Sequence, residues 1–199
     1  MTPVAESPTR PQRRSEVVRA IVLVLCVGLM ATSLVTRRWL VHSSRLEDLR
    51  PWDKDVATMD IGLTGLSICQ HAGPCHGYRF ESDHLKEQLS LRVASLATFA
   101  VGIFAALLAV VAAGLVFSGR SRRVPRTALA VALLVTGLAA VVFHGYGTSR
   151  ENFITAWYGF EFRAGLSFYA MMLGLAGAMV ATATLPTKAA TTAATSGAR

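Results

Sequence analysis

Gly65-Leu66-Ser67-Ile68-Cys69-Gln70-His71-Ala72-Gly73-Pro74-Cys75 lies in a polar stretch, residues 37–90, that separates two hydrophobic segments. The stretch is too polar for lipid and too long for a simple connector between helices. Its two cysteines flank a turn in which Gly73 and Pro74 supply the chain reversal. A disulfide needs Cβ atoms about 4 Å apart, and a hairpin reversing between Cys69 and Cys75 provides that geometry. Such a bond persists in an oxidising compartment, so this loop is expected to face away from the cytoplasm. In the chain-entropy view, closing so short a loop stabilises it by about 2–3 kcal/mol.

Working outward, the chain is 52% hydrophobic and only 16% charged over its 199 residues. Four apolar segments, near 17–36, 93–117, 127–143 and 164–185, carry most of that content. A helix rises 1.5 Å per residue, so roughly 20 apolar residues cross a ~30 Å hydrocarbon core. The second and fourth segments meet this requirement as they stand, whereas the first and third extend toward Trp39 and Tyr146. Four spans leave outer loops at 37–92 and 144–163, with cytoplasmic ends at 1–16 and 186–199. The polar, arginine-containing 1–16 segment is expected to be disordered and close to anionic headgroups.

The net charge of +8 invites a nucleic-acid reading, but the arginines sit beside spans. Arg10, Arg13, Arg14 and Arg19 precede or enter the first span, and Arg120, Arg122, Arg123 and Arg126 fill the link between the second and third. Ten of the twelve acids lie in the other two loops or at their edges. This asymmetry follows the positive-inside rule and places both termini in the cytoplasm of a plasma membrane, the inner membrane if the source is bacterial. The first span lacks a small-x-small cleavage site after Val35, and Cys26 follows a bulky leucine, so neither a cleaved signal nor a lipidated cysteine is expected.

Within the first outer loop, residues 39–42 have the pattern of a strand leaving the membrane. Residues 56–69 alternate, with Met59, Ile61 and Leu63 opposite Asp60, Gly62 and Thr64, and are expected to form one strand. Gly77-Tyr78-Arg79-Phe80 is its return, and Ser82 caps a short helix leading into the second span. The spans carry small residues at four-residue spacing: Ala94, Thr98, Gly102 and Ala106; Ala128, Ala132, Thr136 and Ala140; Ala170, Gly174 and Ala178. Such stripes let helix backbones approach closely in lipid. No span interior holds a charge, and therefore no proton or ion path is indicated.

Taken together, these residues resemble the tetraspan superfamily of claudins, peripheral myelin protein and calcium-channel gamma subunits. Trp39 corresponds to the tryptophan after the first span, Gly65-Leu66 to the Gly-Leu of the loop motif, and Cys69 and Cys75 to the disulfide pair. Arg92 corresponds to the arginine that claudins place at the outer start of the second span. Tyr158-Gly159-Phe160-Glu161-Phe162, with Leu166-Ser167-Phe168 behind it, is similar to the family's entry into the fourth span. Ser67 replaces the family's second tryptophan, and Cys69 falls one residue early. The resemblance implies an all-α membrane four-helix bundle, left-handed, topped by a small extracytoplasmic antiparallel β-sheet drawn from both outer loops. It also implies that Trp39 and Gly65-Leu66 seat the sheet, with Arg92 beside them. A guanidinium over an indole would contribute between ~0.5 and ~2 kcal/mol. The alternative, an interfacial tryptophan and a snorkelling arginine that never meet, stays open.

Catalysis finds little support in the residues. Cys69, His71, Cys75 and His76 match no zinc knuckle, and a disulfide would consume both thiolates. A thiol oxidoreductase needs a C-x-x-C pair and usually a second shuttling pair, whereas Cys26 stands alone in the first span. Haem in a bundle calls for histidines on facing spans, and only His144 comes near. No enzyme activity, cofactor, metal or nucleic-acid partner is therefore expected. In family members the outer sheet makes lateral or head-to-head contacts or grips a channel. Adhesion or self-assembly is thus the first expectation, an accessory subunit of another membrane protein the second, and a membrane thiol oxidoreductase the least favoured alternative. Cysteines introduced at Ser7, Ser121 and Ser149 for labelling in intact cells test the topology. Only position 149 should react from outside; external labelling at 121 would overturn it.

Overall fold

A computed structural model describes residues 10–43, 56–70, 73–79, 89–120, 124–149 and 162–185. It contains four long helices: α1 (Arg10–Val35), α2 (Leu89–Phe117), α3 (Arg126–Thr148) and α4 (Leu166–Ala183). All four are long and apolar enough to cross a membrane. The 1–16 segment, expected to be disordered, is already helical from Arg10. Pro11 sits in the first turn, where its missing N–H would have had no partner anyway. The arginines that follow are good helix formers. Low apolar content marks where the hydrocarbon ends but not where a helix ends. For the same reason α3 continues past Phe143 to Thr148 and takes His144 and Tyr146 into the helix.

The helices close a ring in which α1 packs on α2 and α4, and α3 packs on α2 and α4. On α1 the buried positions Ala20, Leu23, Cys26, Met30 and Leu34 recur every three or four residues, while Leu25 and Val18 lie on the exposed flank. Across the bundle, the exposed apolar flank includes Leu107, Leu138 and Leu173, the surface that lipid chains would cover. Small residues set the interior contacts. A Cβ at Gly174 would stand 3.0 Å from both the Cys26 carbonyl oxygen and Met30 Cγ, and one at Gly102 would stand 2.7 Å from Leu34 Cδ2. Gly28 and Gly114 face open space instead. Between α2 and α3 the small stripes carry reciprocal hydrogen bonds. Thr98 Oγ1 donates to the Ala139 carbonyl at 3.0 Å and Thr136 Oγ1 to the Val101 carbonyl at 3.1 Å. Each hydroxyl also lies 2.7 Å from the carbonyl four residues back in its own helix, so one proton is shared between two acceptors.

One sheet sits at the end of the bundle where α1 and α3 finish and α2 and α4 begin. Its strands are β1 (Leu40–Ser43), β2 (Val56–Ile61), β3 (Gly65–Gln70), β4 (Cys75–Arg79) and β5 (Arg163–Ala164), in the order β4-β3-β2-β1-β5 and antiparallel throughout. The segment between α3 and α4 does contribute a strand, because β5 pairs Ala164 with Leu40 and Arg163 with Val41. The expected single strand over 56–69 is instead a hairpin. Gly62 N–H donates to the Gly65 carbonyl at 2.8 Å, and β3 folds back so that Leu66 faces Ile61. The two glycines permit this turn. A Cβ at Gly62 would press on Arg37 Cα at 2.7 Å, and one at Gly65 would collide with the Tyr78 carbonyl oxygen. The alternation itself survives, since Met59, Ile61 and Leu63 are all buried. The cap expected at Ser82 lies outside the described residues.

Candidate functional site at the sheet–bundle junction

Trp39 is the residue from which this junction is built. It is fully buried, between the last turn of α1 and the first residue of β1. The last four carbonyls of a helix lack helical partners, and Ser33 carries one of them. Trp39 Nε1–H donates to that carbonyl at 2.6 Å. Thr36 Oγ1 also approaches it, at 3.2 Å, but lies closer to Ser167 Oγ. The Trp39 ring meets Phe143 of α3 edge-on at 5.7 Å between centroids and Phe168 of α4 at 6.2 Å. Its backbone joins the strands: Trp39 N–H donates to the Ile61 carbonyl at 3.0 Å and its carbonyl accepts from Gly165 N–H at 2.8 Å. One residue thus ties together α1, β2, α3 and the entry to α4.

Neighbouring groups extend the tie. Thr36 and Ser167 hydroxyls share a hydrogen bond at 2.6 Å between α1 and α4. Ser33 Oγ lies 3.3 Å from Met171 Sδ, and His144 stacks on Phe168 at 4.7 Å. On the far side, Ser95 Oγ donates to the Leu63 carbonyl, which fixes the β2–β3 turn to α2. Leu40 fills the space beside Gly147 at the end of α3, where a Cβ would collide with its side chain. The sequence pointed to Trp39, Gly65 and Leu66; the structure places Leu66 in the buried layer opposite Ile61 and Tyr78. It did not point to Ser33, Thr36 or Phe143, whose roles depend on where the indole turns.

The expected contact between Trp39 and Arg92 is not made. Among the described residues the rings meeting Trp39 are those of Phe143 and Phe168, and no guanidinium lies over the indole. Arg92 is half-buried in the first turn of α2. The indole faces inward, because the Ser33 carbonyl at the bundle end accepts its proton and leaves nothing polar to hold the ring at the surface. Tyr158, Gly159, Phe160 and Glu161 lie outside the described residues.

At the opposite margin of the sheet, Cys69 and Cys75 are bridged, with Cα atoms 4.0 Å apart as directly opposed residues of β3 and β4. Cys26 is the free thiol, buried in α1 against Gly177. Every described residue from Gly73 to Arg79 is exposed, and β4 is the outermost strand. Among the described residues no group of three or more His, Cys, Asp or Glu side chains converges as a metal site would require.

On β2, Asp60 is 17% exposed and pairs with Arg38, itself 70% exposed, at 3.4 Å. Burial pushes the Asp60 carboxyl above its ordinary range, and the nearby Arg38 guanidinium only partly offsets this.

These features define the class: a polytopic helical membrane protein with a disulfide-stapled antiparallel sheet rooted in its bundle by a buried tryptophan. No family model matches the chain, and no curated protein matches its sequence.

Asp60 generates a pH prediction. With its pKa raised on folding, the folded chain keeps a proton that the unfolded chain has released. Its stabilising contribution is therefore full below the unfolded carboxyl range and is lost as pH rises through the folded value. Thermal unfolding in detergent should show Asp60→Asn more stable than the parent at neutral pH, with the gap closing in acid. A gap that widens in acid would mean that the Arg38 pair outweighs burial, against the small worth of exposed pairs.

Proposed function

We propose that this chain is a claudin-like, non-enzymatic membrane protein whose outer sheet mediates adhesion or lateral self-assembly, with both termini cytoplasmic. The supporting observation is the β4 edge. An edge strand offers unpaired N–H and C=O groups, and natural proteins usually cover or shorten such edges. Here the edge is five residues long, exposed throughout, and joined to β3 by the Cys69–Cys75 bridge. The root of the sheet, by contrast, is buried and fixed by Trp39. A rigid root with an open, stapled edge suits strand addition, in which backbone hydrogen bonds supply affinity and alternate side chains supply selectivity. A second copy meets that edge in an antiparallel, two-fold manner, which closes at a dimer.

Counting copies by single-molecule photobleaching, in bilayers of increasing protein density, tests the reading. The parent chain should pass from monomer to dimer. Tyr78→Glu, which brings two carboxylates together across the two-fold axis, should weaken dimers at low salt and recover at high salt. A chain that stays monomeric at every density, yet co-purifies with a different membrane protein in fixed ratio, would replace self-assembly with the accessory-subunit role.

A further inference from the structure

All of β4 is exposed, and β3 is the element it packs on. The strands beyond it are secured without it. β2 and β3 are joined by the turn between Gly62 and Gly65, whose Leu63 carbonyl accepts from Ser95 Oγ of α2. The Trp39 backbone fixes Ile61 on one side and Gly165 on the other. Arg37 reaches over Gly77 from the end of α1, but its own side chain is exposed and cannot set the strand's register. The covalent tie across the β3–β4 ladder is the Cys69–Cys75 bridge.

A disulfide that only holds a fold together contributes most across a long loop, and it resists reduction best where solvent does not reach it. This bridge has neither property. Its cysteines are six positions apart, Cys75 is exposed and Cys69 is half-buried. The two sulfurs are therefore unequal: a thiolate arriving from solvent meets Cys75, and Cys69 becomes the leaving group. Side chains project from the faces of a sheet, not from its edge, so strand pairing along β4 leaves the bridge open to attack.

We propose that the Cys69–Cys75 bridge is a thiol–disulfide exchange site for a dithiol on the sheet's side of the membrane, and that its opening releases β4. The thiolate of the dithiol attacks Cys75 Sγ, the bond between the two sulfurs breaks, and Cys69 departs as a thiolate that takes up a proton. The second thiol of the reductant then attacks the mixed disulfide and frees Cys75, which takes up the other proton. Two electrons and two protons pass to the chain, and the dithiol ends as a disulfide. The chain is the substrate of this exchange and needs no C-x-x-C pair of its own. Cys26 takes no part, because it is buried in α1. Once released, β4 has no buried side chain to restore its register. Edge pairing needs an ordered β4, so reduction also separates the dimer; that consequence, unlike the exchange itself, rests on the self-assembly reading.

Treating the parent chain in nanodiscs with dithiothreitol, then with iodoacetamide, and following hydrogen exchange provides the test. Cys69 and Cys75 should both be alkylated in the folded chain while Cys26 stays unmodified. Amides of β4 should exchange at least about tenfold faster after reduction, with those of β1 and β2 unchanged. Cys69→Ser with Cys75→Ser should show the same fast β4 without reductant. A thioredoxin lacking its resolving cysteine should be trapped on Cys75. A bridge that opens only in denaturant, an adduct on Cys69, or β4 amides equally slow after reduction would each overturn the proposal. Single-molecule counting separates the two readings: dimers that persist once β4 is loosened contradict self-assembly through β4 and leave the exchange site standing.

Discussion

The indole N–H of Trp39, donated to the Ser33 carbonyl, is the constraint on which this architecture depends. A helix that ends inside a protein leaves carbonyls that must find donors, and one left buried without a partner costs about 1–3 kcal/mol. Here the donor comes from the residue that leads into the sheet, so satisfying the helix end and docking the sheet are one event. The ring then fills the space between α3 and α4 against Phe143 and Phe168, and the Trp39 backbone binds Ile61 and Gly165. An indole placed at the membrane surface would have supplied none of the ring's contacts.

From that root the sheet grades into a different environment. Leu40, Ile61 and Leu66 are buried near the tryptophan, Ile68 and Ser67 are half-buried, and β4 is exposed along its length. Burial cannot fix the register of so exposed a strand, and register is weakly specified without a buried face. The covalent bond between Cys69 and Cys75 does so instead, at the turn end of β4. Rigidity thus comes from packing at one margin and from covalent chemistry at the other.

The spans were legible because an uninterrupted apolar run of about 20 residues fits little besides a membrane crossing. The cysteine pair was legible because its turn was spelled out by Gly73 and Pro74. Helix ends were less so. Arg10–Ser15 and His144–Thr148 are helical although polar or mixed, and hydropathy is blind to them. The hairpin within 56–69 was hidden because Leu63 continues the apolar alternation through the turn, and only Gly62 and Gly65 marked the reversal. The pairing of Trp39 with Arg92 failed for a three-dimensional reason: the open Ser33 carbonyl is a property of where α1 stops.

Hydrogen exchange of the bilayer-embedded chain carrying Trp39→Ala tests the anchoring role of the tryptophan most directly. Truncating a buried Trp costs about 3–5 kcal/mol, enough to detach a small sheet from its base. The account predicts that amides of β1, β2 and β3 lose protection by at least about a hundredfold, while the central turns of α2 and α3 keep theirs. Strand amides as slow to exchange in the variant as in the parent chain would contradict it.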